Sequence, residues 1–309
     1  MRIAIIGRSR MLFDTMLMLE SKHEICLVIT SKEAPEYDIK SSDYKKFAVE
    51  RNIPFYHAPN ISEELHNEIK GLAKIDVAVS INYTGIISQS VIDLFALGIL
   101  NVHGGDLPKY RGNACQSWAI LNGEDRIGLC VHKMIGGELD SGKILAREFK
   151  AININTRVGI LYDWLDEASP RLVEQALEGL KRDANWSIEQ QSSDPKNALR
   201  CYPRKPEDGE INWKDSAEQI VRLVNASSEP FAGAFCNFQD EKLIIWRIEM
   251  HKDEEVWCGI PGQIASINED ENYIIVLTGN GKVKIREVQL NNNRFTADKL
   301  TKSIRSRLN

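Results

Sequence analysis

Short apolar runs alternate with longer amphipathic stretches through the first hundred residues. Residues 2–6, 25–30, 77–81 and 99–103 are apolar and partly β-branched, as strands buried on both faces should be. Between them, residues 11–21, 42–51 and 63–72 place apolar side chains at helical spacing beneath polar outer faces, which predicts helices. Strand and helix alternating at this pitch predict an α/β domain built on a doubly wound parallel, Rossmann-like sheet. Residues 155–182 then predict one long helix with Thr156 as its cap. Residues 187–200 turn polar, and Ser192-Ser193-Asp194-Pro195 would break any helix, so a domain boundary is expected there. Beyond it, residues 216–225 predict a helix. Residues 243–248, 263–267, 273–278 and 282–290 predict strands joined by turns such as Gly279-Asn280-Gly281. These suit a small, mostly-β, barrel-like (OB-like) fold. The expected division is therefore an α/β domain at 1–190, a linker at 191–205 and the barrel-like domain at 206–309, consistent with a chain of 309 residues.

Composition narrows the class of protein. The chain is 43% hydrophobic and 27% charged, with no low-complexity tract, as in soluble globular proteins. Its apolar stretches, such as 91–100, are broken by Asp93 and Gly98 and fall short of the roughly 20 residues that span a bilayer. The opening MRIAIIGRSR reads as a strand entering a turn rather than a leader, so a cytoplasmic protein with no membrane partner is expected. Six scattered cysteines (Cys26, Cys115, Cys130, Cys201, Cys236, Cys258) form no CxxC pair and are read as reduced thiols, with no metal site.

Charge argues against a nucleic-acid partner. The net charge is −5, and from Cys201 onward 15 Lys and Arg face 17 Asp and Glu, whereas phosphate-backbone binding needs a basic face. Arg294, Lys299, Lys302, Arg305 and Arg307 against Asp298 form the one basic bias, read as the C-terminal turn of a helix. The first turn, Gly7-Arg8-Ser9-Arg10, carries one glycine where a dinucleotide-binding fingerprint carries three, so a nicotinamide dinucleotide is not expected.

The segment with most chemical content is 101–142, NVHGGDLPKYRGNACQSWAILNGEDRIGLCVHKMIGGELDSG. It begins at the C-terminal end of an expected parallel strand, where open α/β sheets place their ligand crevice. Asn101 and His103, two apart, share a face of that strand. Asp140 lies in a glycine-rich loop that can fold back over the strand end. Amide, imidazole and carboxylate together suit acyl transfer to an amine. His103 can take up or relay the proton that the amine loses. Asn101 offers a donor to the oxygen that gains charge, and Asp140 orients the imidazole and balances its charge. No serine or cysteine stands in an elbow motif.

These residues stand in four ordered motifs: Asn101-Val102-His103, Leu107-Pro108-Lys109-Tyr110-Arg111-Gly112, Gly128 through Met134, and Leu139-Asp140-Ser141-Gly142. In them the chain resembles the formyltransferases that use 10-formyltetrahydrofolate. That group includes methionyl-tRNA formyltransferase and the sugar-nucleotide N-formyltransferases. The resemblance continues through Tyr202-Pro203-Arg204-Lys205, Asp208 to Trp213, Pro230 to Ala234 and Pro261-Gly262-Gln263, and so covers nearly the whole chain. It implies N10-formyltetrahydrofolate as co-substrate, with Asn101, His103 and Asp140 catalytic. It also implies a pterin pocket lined by the segment 80–87 (Ser80, Tyr83, Gly85, Ile86 and Ile87) and, opposite, by Ile135 and Gly136.

Two departures bear on the acceptor. The tRNA enzymes carry Ser-Leu-Leu-Pro where this chain has Gly105-Asp106-Leu107-Pro108. They also carry a basic loop after the second strand, whereas residues 31–38 here read SKEAPEYD. Without that loop, affinity for a phosphate backbone should be poor. The expected acceptor is therefore an amino sugar on a nucleoside diphosphate, of the kind found in pseudaminic acid synthesis. Gly104, Gly105, Asp106, Lys109, Tyr110 and Arg111 are the expected substrate-binding residues. Methionyl-tRNA is the alternative acceptor, and a homodimer is compatible with the exposed edge of a small terminal sheet.

Overall fold

The computed structural model describes residues 1–35 and 37–309; Glu36, part of the acidic 31–38 segment, lies outside the described residues. The chain runs β1 (Arg2–Gly7), α1 (Arg10–Glu20), β2 (Glu24–Thr30), α2 (Ser41–Glu50), β3 (Phe55–His57), α3 (Glu63–Gly71), β4 (Val77–Ile81), α4 (Gln89–Ile92), β5 (Ile99–His103), β6 (Arg111–Gly112), α5 (Cys115–Asn122), β7 (Arg126–Lys133), β8 (Ile144–Ala151), α6 (Val158–Arg182), β9 (Arg200–Cys201), α7 (Ala217–Ser227), β10 (Ala234–Phe238), β11 (Glu241–His251), β12 (Ile264–Asn268), β13 (Tyr273–Leu277), β14 (Lys282–Leu290) and β15 (Asn293–Thr296). Two compact units result. One comprises Met1–Cys115, Ile127–Lys150 and Tyr162–Cys201; the other comprises Gln116–Arg126, Ala151–Leu161 and Tyr202–Asn309.

The first unit holds a seven-stranded sheet in the order β3-β2-β1-β4-β5-β7-β8. β1 pairs in parallel with β2 on one side and β4 on the other, and β4 continues in parallel to β5. Chain order reverses at β1, which makes its C-terminal end a topological switch point. Continuous apolar runs fit these central strands: Ile3, Ile5, Ile6, Leu27, Ile29, Val77, Val79 and Ile99 are wholly buried. Each such side chain contributes about 1.5–3 kcal/mol by leaving water.

The sheet is not purely parallel. β7 runs antiparallel to β5, with Asn101 opposite His132 and His103 opposite Cys130. β7 went unread in the sequence because its apolar residues were absorbed into a motif, and β8 was not singled out. The antiparallel pairing brings a second histidine beside the first. The long helix starts at Val158 rather than 155, because the Thr156 hydroxyl accepts from the Asn153 amide at 2.9 Å and caps the preceding turn. The polar 187–200 segment is also well anchored in this unit: Ile188 and Glu189 bond to Ile144, and β9 pairs with β6.

The second unit is an antiparallel sheet in the order β10-β11-β14-β13-β12, with β15 pairing β14. Helix α7 closes one face, with Ile220, Val221 and Val224 packed against Leu243, Ile245, Ile274 and Val283. Ser216 caps α7, its hydroxyl accepting from the Gln219 amide while Gln219 reaches back to the Ser216 amide, a reciprocal arrangement that satisfies two helix-end donors. The basic C-terminal stretch holds only a single 3-10 turn, Ala297–Lys299, rather than the end of an α-helix. Asn291 and Asn292 adopt positive φ, which asparagine tolerates, and the chain returns as β15. There Arg294 pairs with Glu287 and Glu229, and Lys302 with Glu269.

Candidate active site

Three elements of the first unit meet at the C-terminal end of β5. Asn101 and His103 project from β5, His132 stands beside Asn101 on β7, and the loop after β7 returns Asp140 over both. Gly142 permits that return: a Cβ there would lie 1.7 Å from the Lys133 carbonyl oxygen, so only glycine lets the loop lie flat on β7. Asp140 itself sits at φ 49, a left-handed conformation uncommon for residues other than glycine.

The carboxylate of Asp140 is the centre of the arrangement. Its Oδ2 accepts from the Gly112 amide at 2.9 Å and lies 3.5 Å from His103 Nδ1; its Oδ1 lies 3.3 Å from Asn101 Nδ2 and 3.4 Å from His132 Nε2. Burial alone would raise this carboxyl. The His103 charge, the His132 hydrogen bond and charge, and the Gly112 N–H outweigh burial and hold it well below the usual carboxylate range. Asp140 is therefore a fixed anion.

His103 is buried, and its Nε2 lies 2.6 Å from the carbonyl oxygen of Tyr110. A carbonyl only accepts, so Nε2 carries hydrogen, and Nδ1 faces a carboxylate. Both ring nitrogens thus face acceptors, an arrangement that only the cationic ring satisfies in full. Gly105 keeps room for this contact, since a Cβ there would lie 2.3 Å from the Tyr110 oxygen and 2.6 Å from His103 Nε2.

His132 was not singled out by sequence reasoning, and it is as deeply placed as His103. Its Nδ1 lies 3.0 Å from the Lys133 carbonyl and its Nε2 3.1 Å from Asn101 Nδ2. Nδ1 donates to that carbonyl, and Nε2 lies between the Asn101 amide and Asp140 Oδ1. The Asn101 amide is engaged inward by both Asp140 and His132. The signal that would have found His132 is the β5–β7 register, which an antiparallel reading of 126–133 supplies.

The expected substrate residues divide sharply. Lys109 is exposed. Tyr110 is 2% exposed, so its ring cannot meet a substrate and its carbonyl is the part that reaches the site. Arg111 is half-buried, with one NH2 donating to Gln191 Oε1 at 2.8 Å. Asp106 lies 3.8 Å from Arg147 Nε, and Arg147 also donates to the Leu107 carbonyl; the extra carboxylate is matched within the fold rather than left open. Gly104 is half-buried and Gly105 buried beside His103. Cys115, 3.8 Å from His103 Nε2, donates to the Tyr110 carbonyl at 2.9 Å. The hydrogen bond to Cys201, and then burial, push its thiol far above the ordinary range. It keeps its proton and is no nucleophile.

The segment after β4 shows a similar division. Ser80 and Ile87 are buried, Ile87 in the core with Val91, Ile92 and Phe95, so they support the surface from beneath. Tyr83 donates to the Ala58 carbonyl at 3.0 Å, and burial pushes its phenol up to about 12. Gly85 lies close against Pro59 and Asn60. Ile86 is 89% exposed and Ile135 38% exposed, and the Gly136 amide donates to Gln89 Oε1 at 2.9 Å, tying the two loops together. At the switch point, Arg8 donates to the carbonyls of Asn82 and Lys32, a cation that sequence reasoning weighed only as a missing fingerprint. Among the described residues, no group of three or more His, Cys, Asp or Glu is placed to hold a metal ion, and no helix is long and apolar enough to cross a membrane.

The formyl transferase family pattern matches residues 1–177, and that of the formyl transferase C-terminal domain matches residues 204–305. The chain belongs to the formyl transferase family. Among solved structures, this formyl transferase is similar to WlaRD, a sugar 3N-formyl transferase in the presence of dTDP and 5-N-formyl-THF. That likeness has 19% identity, a TM-score of 0.66, and covers 95% of this chain and 98% of WlaRD. A Helicobacter canadensis N-formyltransferase in complex with folinic acid and dTDP-3-aminofucose matches at 18% identity and TM-score 0.66, over 92% of this chain and 97% of that one. HypX from Aquifex aeolicus, in complex with tetrahydrofolic acid, matches at 18% identity and TM-score 0.63 over 98% of this chain. The formyl transferase spans about half of HypX, 47% of its length. At these identities the likeness is one of fold.

Proposed function

We propose that this enzyme transfers the formyl group of N10-formyltetrahydrofolate to the amine of a nucleotide-linked amino sugar. The observation that carries the chemistry is the gathering of Asn101, His103 and Asp140 within 3.5 Å contacts at the end of β5. A folate carrier fits the flanking surface, where Ile86 and Ile135 expose large aliphatic side chains on loops joined through Gly136 and Gln89. A pterin has flat faces that such side chains can cover and a polar edge that backbone groups can bond.

The carrier supplies the formyl carbon and takes a proton on its nitrogen when the carbon–nitrogen bond breaks. His103, held as a cation against Asp140, places positive charge where the formyl oxygen gains negative charge. Asn101 joins it by turning one N–H from Asp140 or His132 toward that oxygen. His103 then gives its proton to the departing nitrogen and takes the one that the amine loses, so the ring ends as it began. Asp140 keeps the ring oriented throughout, and water need carry no net charge.

Two observations favour a nucleotide sugar. WlaRD and the Helicobacter canadensis enzyme, bound to dTDP or dTDP-3-aminofucose, share the fold over nearly their whole length. Arg8 follows β1 and Lys109 lies in the loop after β5, two cations whose charge suits a diphosphate. The described part of the 31–38 loop brings one lysine against Glu33 and Asp38, little to hold a tRNA backbone. The test is to offer 10-formyltetrahydrofolate with UDP-, dTDP- and GDP-linked amino sugars and read formylated product by mass spectrometry. Formylation of a nucleotide sugar is expected; failure with every member, alongside formylation of methionyl-tRNA, would refute the proposal.

A further inference from the structure

Gln191 stands in the polar segment that reads from sequence as a domain boundary, yet only 5% of it is exposed. Its amide is matched on both ends. Nε2 donates to the carbonyls of Asp140 and Gly142, each at 2.8 Å, and Oε1 accepts from Arg111 at 2.8 Å. The two carbonyls bracket Ser141 and so fix the main chain of the Asp140 turn from one side. That turn needs fixing, because a left-handed aspartate persists only where its surroundings over-determine it. Arg111 opens the two-residue strand whose Gly112 amide holds the Asp140 carboxylate. One side chain thus ties together the backbone that carries Asp140 and the strand that receives its carboxylate.

The segment around Gln191 is itself anchored. The Ile188 amide donates to the Ile144 carbonyl at 2.9 Å, the Ile144 amide donates to the Glu189 carbonyl at 2.9 Å, and β9 pairs with β6 further on. A buried amide with every partner in place rigidifies what it touches.

We infer that Gln191 is a positioning residue for formyl transfer, acting through the main chain of Asp140 and through Arg111 without touching substrate. The inference rests on Asp140 belonging to the catalytic site. It gives the segment between α6 and β9 a part in catalysis: a stretch that reads from sequence as a boundary lies within the first unit and sets the geometry of the carboxylate.

Two substitutions separate the contacts. Gln191→Met keeps size and loses all three hydrogen bonds. Gln191→Glu keeps an acceptor for Arg111 but turns a carboxylate against two carbonyls. Both should lower kcat roughly 10–100-fold, the range for breaking buried hydrogen bonds, with KM for either substrate little changed. Both should also speed amide hydrogen exchange across residues 136–142, read by mass spectrometry on the full chain without substrate. Normal kcat in Gln191→Met would overturn the inference; normal kcat in Gln191→Glu alone would overturn the part assigned to the Asp140 main chain. A rise in KM at unchanged kcat would make Gln191 a binding residue instead, and unchanged exchange would show that it does not hold the loop. If the unaltered chain formylated no acceptor, the proposed function would fail, while the exchange rates would still decide whether Gln191 clamps the turn.

Discussion

His103 Nε2 lies 2.6 Å from the carbonyl oxygen of Tyr110, and this contact decides where the imidazole's protons point. With Nε2 donating there and Nδ1 facing Asp140, the ring would serve the proposed transfer first by its charge and then as a proton carrier. Asp140→Asn removes the balancing charge while keeping shape. We expect kcat to fall about 10²–10⁴-fold, the usual contribution of a positioned acid–base group, with the far-ultraviolet circular dichroism unchanged. A variant with near-normal kcat would remove Asp140 from the mechanism.

Asn101 differs in kind, because its loss takes away a donor rather than a charge. Asn101→Ala should lower kcat about 10²–10³-fold if its N–H meets the formyl oxygen. Folate affinity, measured by calorimetry with tetrahydrofolate, should stay close to that of the unaltered chain. A weaker affinity at unchanged kcat would make Asn101 a ground-state contact.

The exposure of Ile86 sets up a test of the folate surface. A side chain 89% exposed contributes little to stability, so Ile86→Ser should leave the melting temperature unchanged. If a pterin covers it, KM for the folate should rise roughly tenfold, corresponding to partial loss of the burial energy of an isoleucine. An unchanged KM would move the pterin elsewhere.

Asp166 on α6 offers a pH-dependent prediction outside the site. Burial, and then the charge of Asp14, push its carboxyl up to about 6 despite Arg10. Between about pH 4 and 6 the folded chain keeps a proton that the unfolded chain has lost, so stability falls as pH rises through that window. Asp166→Asn removes this cost and should raise the melting temperature near pH 7 while changing little below about pH 4. Asp140 works in the opposite sense: its carboxyl is depressed, so its contribution is present above the ordinary carboxylate range and is lost only as pH falls toward its folded value. Equal melting temperatures for Asp166→Asn and the unaltered chain near pH 7 would contradict the first expectation.

The sequence made the central strands legible because their apolar runs are unbroken and their helices amphipathic, and it made Asn101, His103 and Asp140 legible because strand alternation and glycine spacing are local. What it concealed is long-range. His132 reaches the site through antiparallel register with β5, which no local pattern encodes. Gln191 sits in a stretch whose Ser, Asp and Pro residues read as a boundary, while its own burial depends on Arg111 and a loop 50 residues away. Tyr110 and Asp106 looked like substrate contacts because polar and aromatic residues after a histidine suggest a binding loop. Their roles turned on packing against Cys115 and Arg147, which sequence spacing does not show.

The central claim is that the amine belongs to a nucleotide sugar, and a competition in one vessel tests it most directly. Limiting 10-formyltetrahydrofolate would be offered to the enzyme with equal concentrations of charged initiator methionyl-tRNA and the most readily formylated nucleotide amino sugar, at low salt where tRNA binding is strongest. We expect the formyl group to appear on the sugar, and to vanish from it in Asp140→Asn. Preferential formylation of the tRNA would contradict the account.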